Sequence, residues 1–323
     1  MPQPITLAAV IPTYNTGDYL RQAVVSLLRQ REEGFRLTRI VVVDDRSNDP
    51  AALAMLKEVA ALDPRVMVLT NERRKGSAGG RNHGVLAADA EWIVFLDADD
   101  VLLEDGVACR VAALKAHPDA TWIGGDFIRC DLNMTPFEAP FLSVKTKPRQ
   151  VLYATPGDMI RLERPLAAFI AQNLATPSAV MVRRDRLLAA GLFDEDLLRA
   201  QDYNLWLRLA RDNDFLFVRR PVAYYRIHPQ AITESGAPRQ WGVRAFEKLR
   251  DEPWMSPHRG LLIQRIAHFL VEEARYYRRR GERIKTWRVV RHAWRYALRQ
   301  PMAALMAGRE GVLALLPFGL AQR

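Results

Sequence analysis

Short apolar runs alternate with amphipathic stretches along the first 130 residues. Residues 7–11 (LAAVI), 40–43, 66–69 and 92–96 (WIVFL) are continuous apolar runs, as expected of strands buried on both faces. Between them, residues 18–30 place Tyr19, Ala23, Val24, Leu27 and Leu28 at helical spacing. Residues 51–61 and 77–88 also read as helices, the latter opened by a Gly-Ser turn, and residues 102–116 predict another. Residues 121–128 predict a fifth strand. Strands alternating with helices of about a dozen residues predict an α/β fold, a Rossmann-like and mostly parallel sheet with helices on both faces.

The rhythm breaks over residues 131–172, which hold five prolines and mixed polarity and read as a long excursion with some helix. A strand at 178–182, a helix at 201–212 and a strand region at 215–227 follow. From about residue 240 the chain reads as helical and basic. The expected organisation is therefore an α/β domain over 1–235, in halves at 1–130 and 131–235, then a basic helical region at 236–323.

Composition refines this picture in two places. The net charge of +10 is confined to one end: residues 1–240 hold 30 basic and 30 acidic side chains, residues 241–323 hold 17 and 7. Such a charge concerns a surface and its partner, not the fold. The two cysteines, Cys109 and Cys130, sit apart from any His or Cys cluster and fit reduced thiols of a cytoplasmic protein. The N-terminal stretch has no positive n-region or small-residue cleavage site and reads as a first strand.

In open parallel sheets ligands sit outside the carboxyl ends of the strands. Asn15, Asp44, Asp45, Asp97 and Asp99 fall there. The segment FLDADD places Asp97, Asp99 and Asp100 within four residues. Their repulsion suits a divalent ion, which takes one or two carboxylates plus substrate phosphates, but a strand end leading into a helix cap favours Asp equally. VVDDRSND (residues 42–49) offers acidic acceptors for a ribose or base, or simply turn chemistry. GSAGGRNHG (76–84) lets a helix N-terminus approach an anion, with Arg81 as a phosphate clamp; its spacing fits neither the phosphate-loop nor the dinucleotide fingerprint.

Taken with VIPTYN (10–15), these motifs resemble the family 2 glycosyltransferases in order and spacing. GLFDE (191–195), QDYNLWLR (201–208) and YRIH (225–228) extend the resemblance to residues 6–230. It implies a GT-A fold and an inverting nucleotide-sugar transferase, with a UDP-sugar the favoured donor and a saccharide or lipid-linked saccharide as acceptor. Pro12, Thr13, Tyr14, Asn15, Asp44, Asp45, Arg81, Asp97 and Ala98 would line the nucleotide-sugar pocket. Asp99, with Asp97 and His228, would hold Mn²⁺ or Mg²⁺, and Asp202 would be the general base. Asp202 also reads as a charge at a helix N-terminus, and His228 as a packed histidine at a strand end.

In the basic region, residues 281–300 place Arg288, Arg291, Arg295 and Arg299 on one stripe and Trp287, Val290, Trp294 and Leu298 on another. That pattern suits an anionic membrane surface or a helical appendage with a solvated face. Residues 302–321 are apolar but interrupted by Arg309, Glu310 and Pro317, which argues against a membrane span. A peripheral position on the cytoplasmic membrane face, in polysaccharide or glycolipid synthesis, is the expectation. Three rivals are a polyprenyl-phosphate sugar synthase, a catalytically dead binding relative, against which the intact Asp97, Asp99 and Asp202 argue, and a basic nucleic-acid-binding protein. No nucleic-acid motif accompanies the charge, so no nucleic-acid partner is expected.

Overall fold

The computed structural model describes residues 4–228 and 240–297. The chain divides into two compact units, Met1–Ala231 and Ile232–Arg323.

In the first unit β1 (Ile5–Thr13), α1 (Asp18–Leu28), β2 (Phe35–Asp44), α2 (Pro50–Leu62), β3 (Val66–Thr70), α3 (Ser77–Ala87) and β4 (Trp92–Phe95) follow in strict alternation. Leu7 to Ile11 and Ile40 to Val43 are fully buried, as continuous apolar strands covered on both faces must be. α1 buries Leu20, Ala23, Val24 and Leu27, while Asp49 caps α2 by accepting the Ala52 N–H (3.3 Å), with Pro50 in the first turn.

After β4 come β5 (Val101–Leu102), α4 (Gly106–Ala116), β6 (Trp122–Cys130), α5 (Phe141–Val144), α6 (Thr146–Leu152), β7 (Met159–Leu162), α7 (Leu166–Ala171), β8 (Val180–Arg183), α8 (Arg184–Ala189), α9 (Gln201–Asp212) and β9 (Phe215–Arg226). The sheet runs β3-β2-β1-β4-β8-β6-β9-β5, with β7 also on β9. β3, β2, β1 and β4 are parallel; β8 enters antiparallel between β4 and β6, and β6 and β9 are parallel.

Three expectations are corrected here. The helix expected over 102–116 starts at Gly106, because Val101 and Leu102 instead pair antiparallel with Tyr224 and Ala223. The strand expected at 178–182 begins as a short 3₁₀ turn, Pro177–Ala179. The excursion at 131–172 contains a strand, β7, besides its helices. It is pinned by Asp126, a fully buried carboxylate that accepts the N–H groups of Leu142 and Ser143 (2.8 and 2.9 Å) and the Tyr153 hydroxyl (2.6 Å). From the same excursion Phe169 reaches the aromatic core, its ring 4.9 Å from that of Trp122, which also meets Trp206 and Phe215.

The second unit holds α10 (Gln240–Glu247), α11 (Arg259–Arg279) and α12 (Arg283–Ala297). Glu247 of α10 accepts from His292 Nε2 (2.9 Å) and the Tyr296 hydroxyl (2.5 Å) of α12. The apolar stripe expected on α12 is only partly the packed one. Val290 is buried, but its packed neighbours are Thr286, Ala293 and Tyr296, while Trp287 and Trp294 are exposed. A helix buries the arc facing its partner, and Trp287 and Trp294 lie outside it. Leu298, Arg299 and residues 302–321 lie outside the described residues. Among the described residues no helix is long and apolar enough to cross a membrane.

Glu273 of α11 is buried, and burial raises its pKa from 4.5 to about 7. A raised carboxylate pKa favours the fold while the group is protonated, so this contribution fades as pH rises from 4.5 through about 7. Glu273→Gln is expected to melt higher than the parent at about pH 8 and close to it at about pH 5, followed by calorimetry. An equal gap at both pH values would contradict the assignment.

Candidate active site at the strand tips

Parallel register brings the polar segments to one edge. Thr13 pairs with Asp44, and Val10 with Phe95, so the chain leaving β4 reaches Asp97 beside the end of β1. Asn15, at φ 50°, ties the first two tips together. Its Oδ1 accepts the N–H groups of Asn48 (3.0 Å) and Asp49 (3.1 Å), its Nδ2 donates to Asn48 Oδ1 (2.9 Å), and its own N–H donates to Ser47 Oγ (2.9 Å). Asn15 is thus a brace between loops. Asp44 accepts the Ser47 N–H, closing the same turn. Asp45 is buried and already doubly engaged: Oδ1 accepts from Asn71 Nδ2 (2.6 Å) and Oδ2 from the Gly76 N–H (2.8 Å).

The second bond fixes the start of α3. Gly79 and Gly84 allow that helix to sit close: a Cβ on Gly79 would lie 1.9 Å from the Arg74 carbonyl oxygen, and one on Gly84 2.4 Å from Val10 Cγ1. Ser77 Oγ accepts from Gln201 Nε2 (2.7 Å), so the first turns of α3 and α9 meet. Thr13 is buried, Pro12 packs near Gly80, and Tyr14 is exposed with Lys75 Nζ 4.2 Å from its ring centroid.

Arg81 projects from α3 into this edge and is 4% exposed. Its Nη2 donates to Asp97 Oδ1 (2.5 Å) and its guanidinium lies over the Phe193 ring. Nε and Nη1 are buried with no hydrogen-bond partner among the described residues. Buried donors left unpaired are costly, which makes them candidates for ligand oxygens. Asp202, at the start of α9, feels the Arg81 charge. Burial raises its pKa; Arg81 and the Tyr203 N–H oppose the rise, and Asp97 adds to it.

The DADD segment splits its carboxylates three ways. Asp97 faces Arg81. Asp99 Oδ2 lies 3.0 Å from His228 Nε2. Burial and the Asp97 charge raise the Asp99 pKa, against the pull of His228. Asp100 is buried and accepts from Ser178 Oγ (2.5 Å) and the Arg226 N–H (3.0 Å). Its carboxyl is pushed well above the ordinary range by burial and then by Asp99 and Asp97. Ala98 between them is buried.

The structure therefore gathers Asp97, Arg81 and Asp202 in one group and Asp99 with His228 in another, along one strand edge. Among the described residues no three His, Cys, Asp or Glu side chains close on one point. The Asp99 carboxylate suits a hard divalent ion such as Mg²⁺ or Mn²⁺, which prefers oxygen ligands, and His228 in its neutral form could add one imidazole nitrogen.

Several structural residues carried no role in the sequence reading. Arg226 is 1% exposed; Nη1 donates to the Asp99 carbonyl (2.6 Å), Nη2 to Gln22 Oε1 (2.8 Å), and the guanidinium sits 4.5 Å from the Tyr19 ring centroid. Ser178 receives the Asp97 N–H (3.1 Å) while donating to Asp100. Asn82 holds the GLFDE loop to α3, donating to the Phe193 carbonyl and accepting the Phe193 N–H, both at 2.9 Å. Asn82 and Arg226 lay inside quoted motifs; the pairing across more than a hundred residues had no sequence signal.

The family model for glycosyl transferase family 2 matches residues 8–153, which include the first three strand tips and Asp97-Ala98-Asp99. The chain carries a family 2 glycosyltransferase domain. An uncharacterized glycosyltransferase of Methanocaldococcus jannaschii is 25% identical over 223 residues, 68% of this chain and 70% of that one. The Escherichia coli enzyme named UDP-Glc:alpha-D-GlcNAc-diphosphoundecaprenol beta-1,3-glucosyltransferase WfgD is 24% identical over 242 residues, 73% and 84% of the two chains. Among solved structures, Staphylococcus aureus TarS residues 1–349 in complex with UDP-GlcNAc superposes with a TM-score of 0.67 at 17% identity, covering 96% of this chain and 89% of that one. The glycosyltransferase thus shares the GT-A-type fold of that structure, with β8 and β9 completing the sheet beyond the matched segment.

Asn82→Ala removes both bonds to Phe193 and leaves a main-chain pair buried without partners. The glycosyltransferase variant is expected to lose about 2–4 kcal/mol in urea unfolding. A loss within about 0.5 kcal/mol would mean the loop is held by its other contacts.

Proposed function

We propose that the enzyme transfers a sugar from a nucleotide-sugar donor, a UDP-sugar favoured, to an acceptor hydroxyl with inversion, assisted by Mn²⁺ or Mg²⁺. The observation that carries this reading is the shared strand edge: Arg81 with two unpaired buried donors, the Asp99–His228 pair, and Asp202 at the start of α9. The matching chains named for UDP-glucose transfer and for a bound UDP-GlcNAc support the donor class.

In this reading the nucleotide lies against Pro12, Thr13 and Tyr14, with Asp44 and Asp45 shaping the pocket wall. Negative charge grows on the departing diphosphate as the bond to the sugar breaks. The free N–H groups of Arg81 meet that charge, in a site whose burial strengthens them. A divalent ion held by Asp99 and His228 supplies further charge stabilisation there. Asp202 removes the acceptor proton. Its burial raises basicity, and the Arg81 charge opposes that rise. The acceptor is a saccharide or lipid-linked saccharide, as the diphosphoundecaprenol-linked sugar in the name of WfgD supports, and the setting is polysaccharide or glycolipid synthesis at the cytoplasmic membrane face.

A panel of UDP-, GDP- and dTDP-sugars, scored by thermal shift with and without Mn²⁺, identifies the donor. One donor is expected to raise the melting temperature only with metal, and Asp99→Ala to abolish that rise. Asp202→Asn is expected to bind this donor normally while kcat falls about 10²- to 10⁴-fold. The parent's kcat should decline in acid from a pKa above the ordinary carboxylate range. Nearly full activity in Asp202→Asn would move the reading to a phosphate acceptor, which needs no base. No metal-dependent donor shift would end the reading.

A further inference from the structure

The exposed face of α12 combines two chemistries that rarely share a solvated surface. Ile284, Trp287 and Trp294 are 72%, 39% and 42% exposed. Arg288, Arg291 and Arg295 are exposed too, with no ion pair or hydrogen bond among the described residues. At about 100° per residue these six side chains fall within an arc of about 120°, opposite the packed side of Thr286, Ala293 and Tyr296. α12 carries five basic side chains and no acidic one.

We propose that this face of α12 rests on an anionic lipid bilayer. Tryptophan rings favour the headgroup level, where an apolar body and a polar N–H are both satisfied. Ile284 adds an aliphatic group with use only for acyl chains. Around the helix Arg291 sits between the tryptophans and Ile284, and Arg295 and Arg288 lie on the other side of Ile284, all placed to bind lipid phosphates bidentately. Nucleic acid would satisfy the arginines and could stack on the tryptophans, but offers Ile284 nothing. The face belongs to the second unit, so the proposal stands or falls separately from sugar transfer.

The full-length protein is mixed with vesicles of phosphatidylcholine alone or with phosphatidylglycerol added, and bound protein is measured by sedimentation. Binding is expected only with the anionic lipid, weakening as salt rises, with a blue shift of tryptophan fluorescence. Trp287→Ala with Trp294→Ala, and separately Arg288→Gln with Arg291→Gln and Arg295→Gln, are each expected to lower affinity at least about tenfold, at an unchanged circular dichroism spectrum. Leu53→Ala, an exposed position of the first unit, should bind as the parent does. Vesicle binding that survives both α12 variants would overturn the proposal. So would no binding, or full displacement from vesicles by single-stranded RNA at matched ionic strength.

Discussion

Mutual repulsion among Asp97, Asp99 and Asp100 governs this structure. Three carboxylates leave one strand tip within four residues, and each is turned towards a different partner: Arg81, His228, and the Ser178–Arg226 pair. Those partners come from α3, from the chain after β9, from the turn before β8 and from the last residue of β9. The tip therefore draws distant segments together. A buried charge costs several kcal/mol unless paired, so such groups are weak as net stabilisers and strong as constraints on geometry. Removing one partner leaves the other stranded, which restricts how the loops can rearrange.

The same constraint leaves donors to spare. Arg81 meets Asp97 with one nitrogen and keeps two buried nitrogens without a partner among the described residues. Asp202 sits within reach of that charge without a neutralising salt bridge to it. A folded chain tolerates this imbalance where a ligand completes it, and in the proposed reading an anionic donor and a hydroxyl acceptor would complete the two halves. Asp45 and Asn15 act differently. Their side chains are consumed in holding the loops at the strand tips.

Much of this was legible in the sequence, for a physical reason. The first four strands are buried on both faces, so their apolar runs stand out, and parallel strands put their polar ends on one edge by geometry alone. The sequence marks α9 over Gln201–Asp212 because its amphipathic pattern is strong. β5 and β7 were missed: two- and four-residue strands are defined by their pairing with β9, which no local pattern records. The face of α12 was read from spacing, which gives the stripes but not which one meets a neighbour. Arg226 was hidden because its use depends on main-chain carbonyls and side chains as distant as Gln22.

The most direct measurement is an anomalous diffraction map from crystals grown with Mn²⁺ and the nucleoside diphosphate of the preferred donor. The account expects a manganese peak within ligand distance of Asp99 Oδ2, shared with diphosphate oxygens, and a second diphosphate contact from Arg81. A diphosphate bound elsewhere, or at this edge with neither Asp99 nor Arg81 touching the ion or the phosphates, would contradict it.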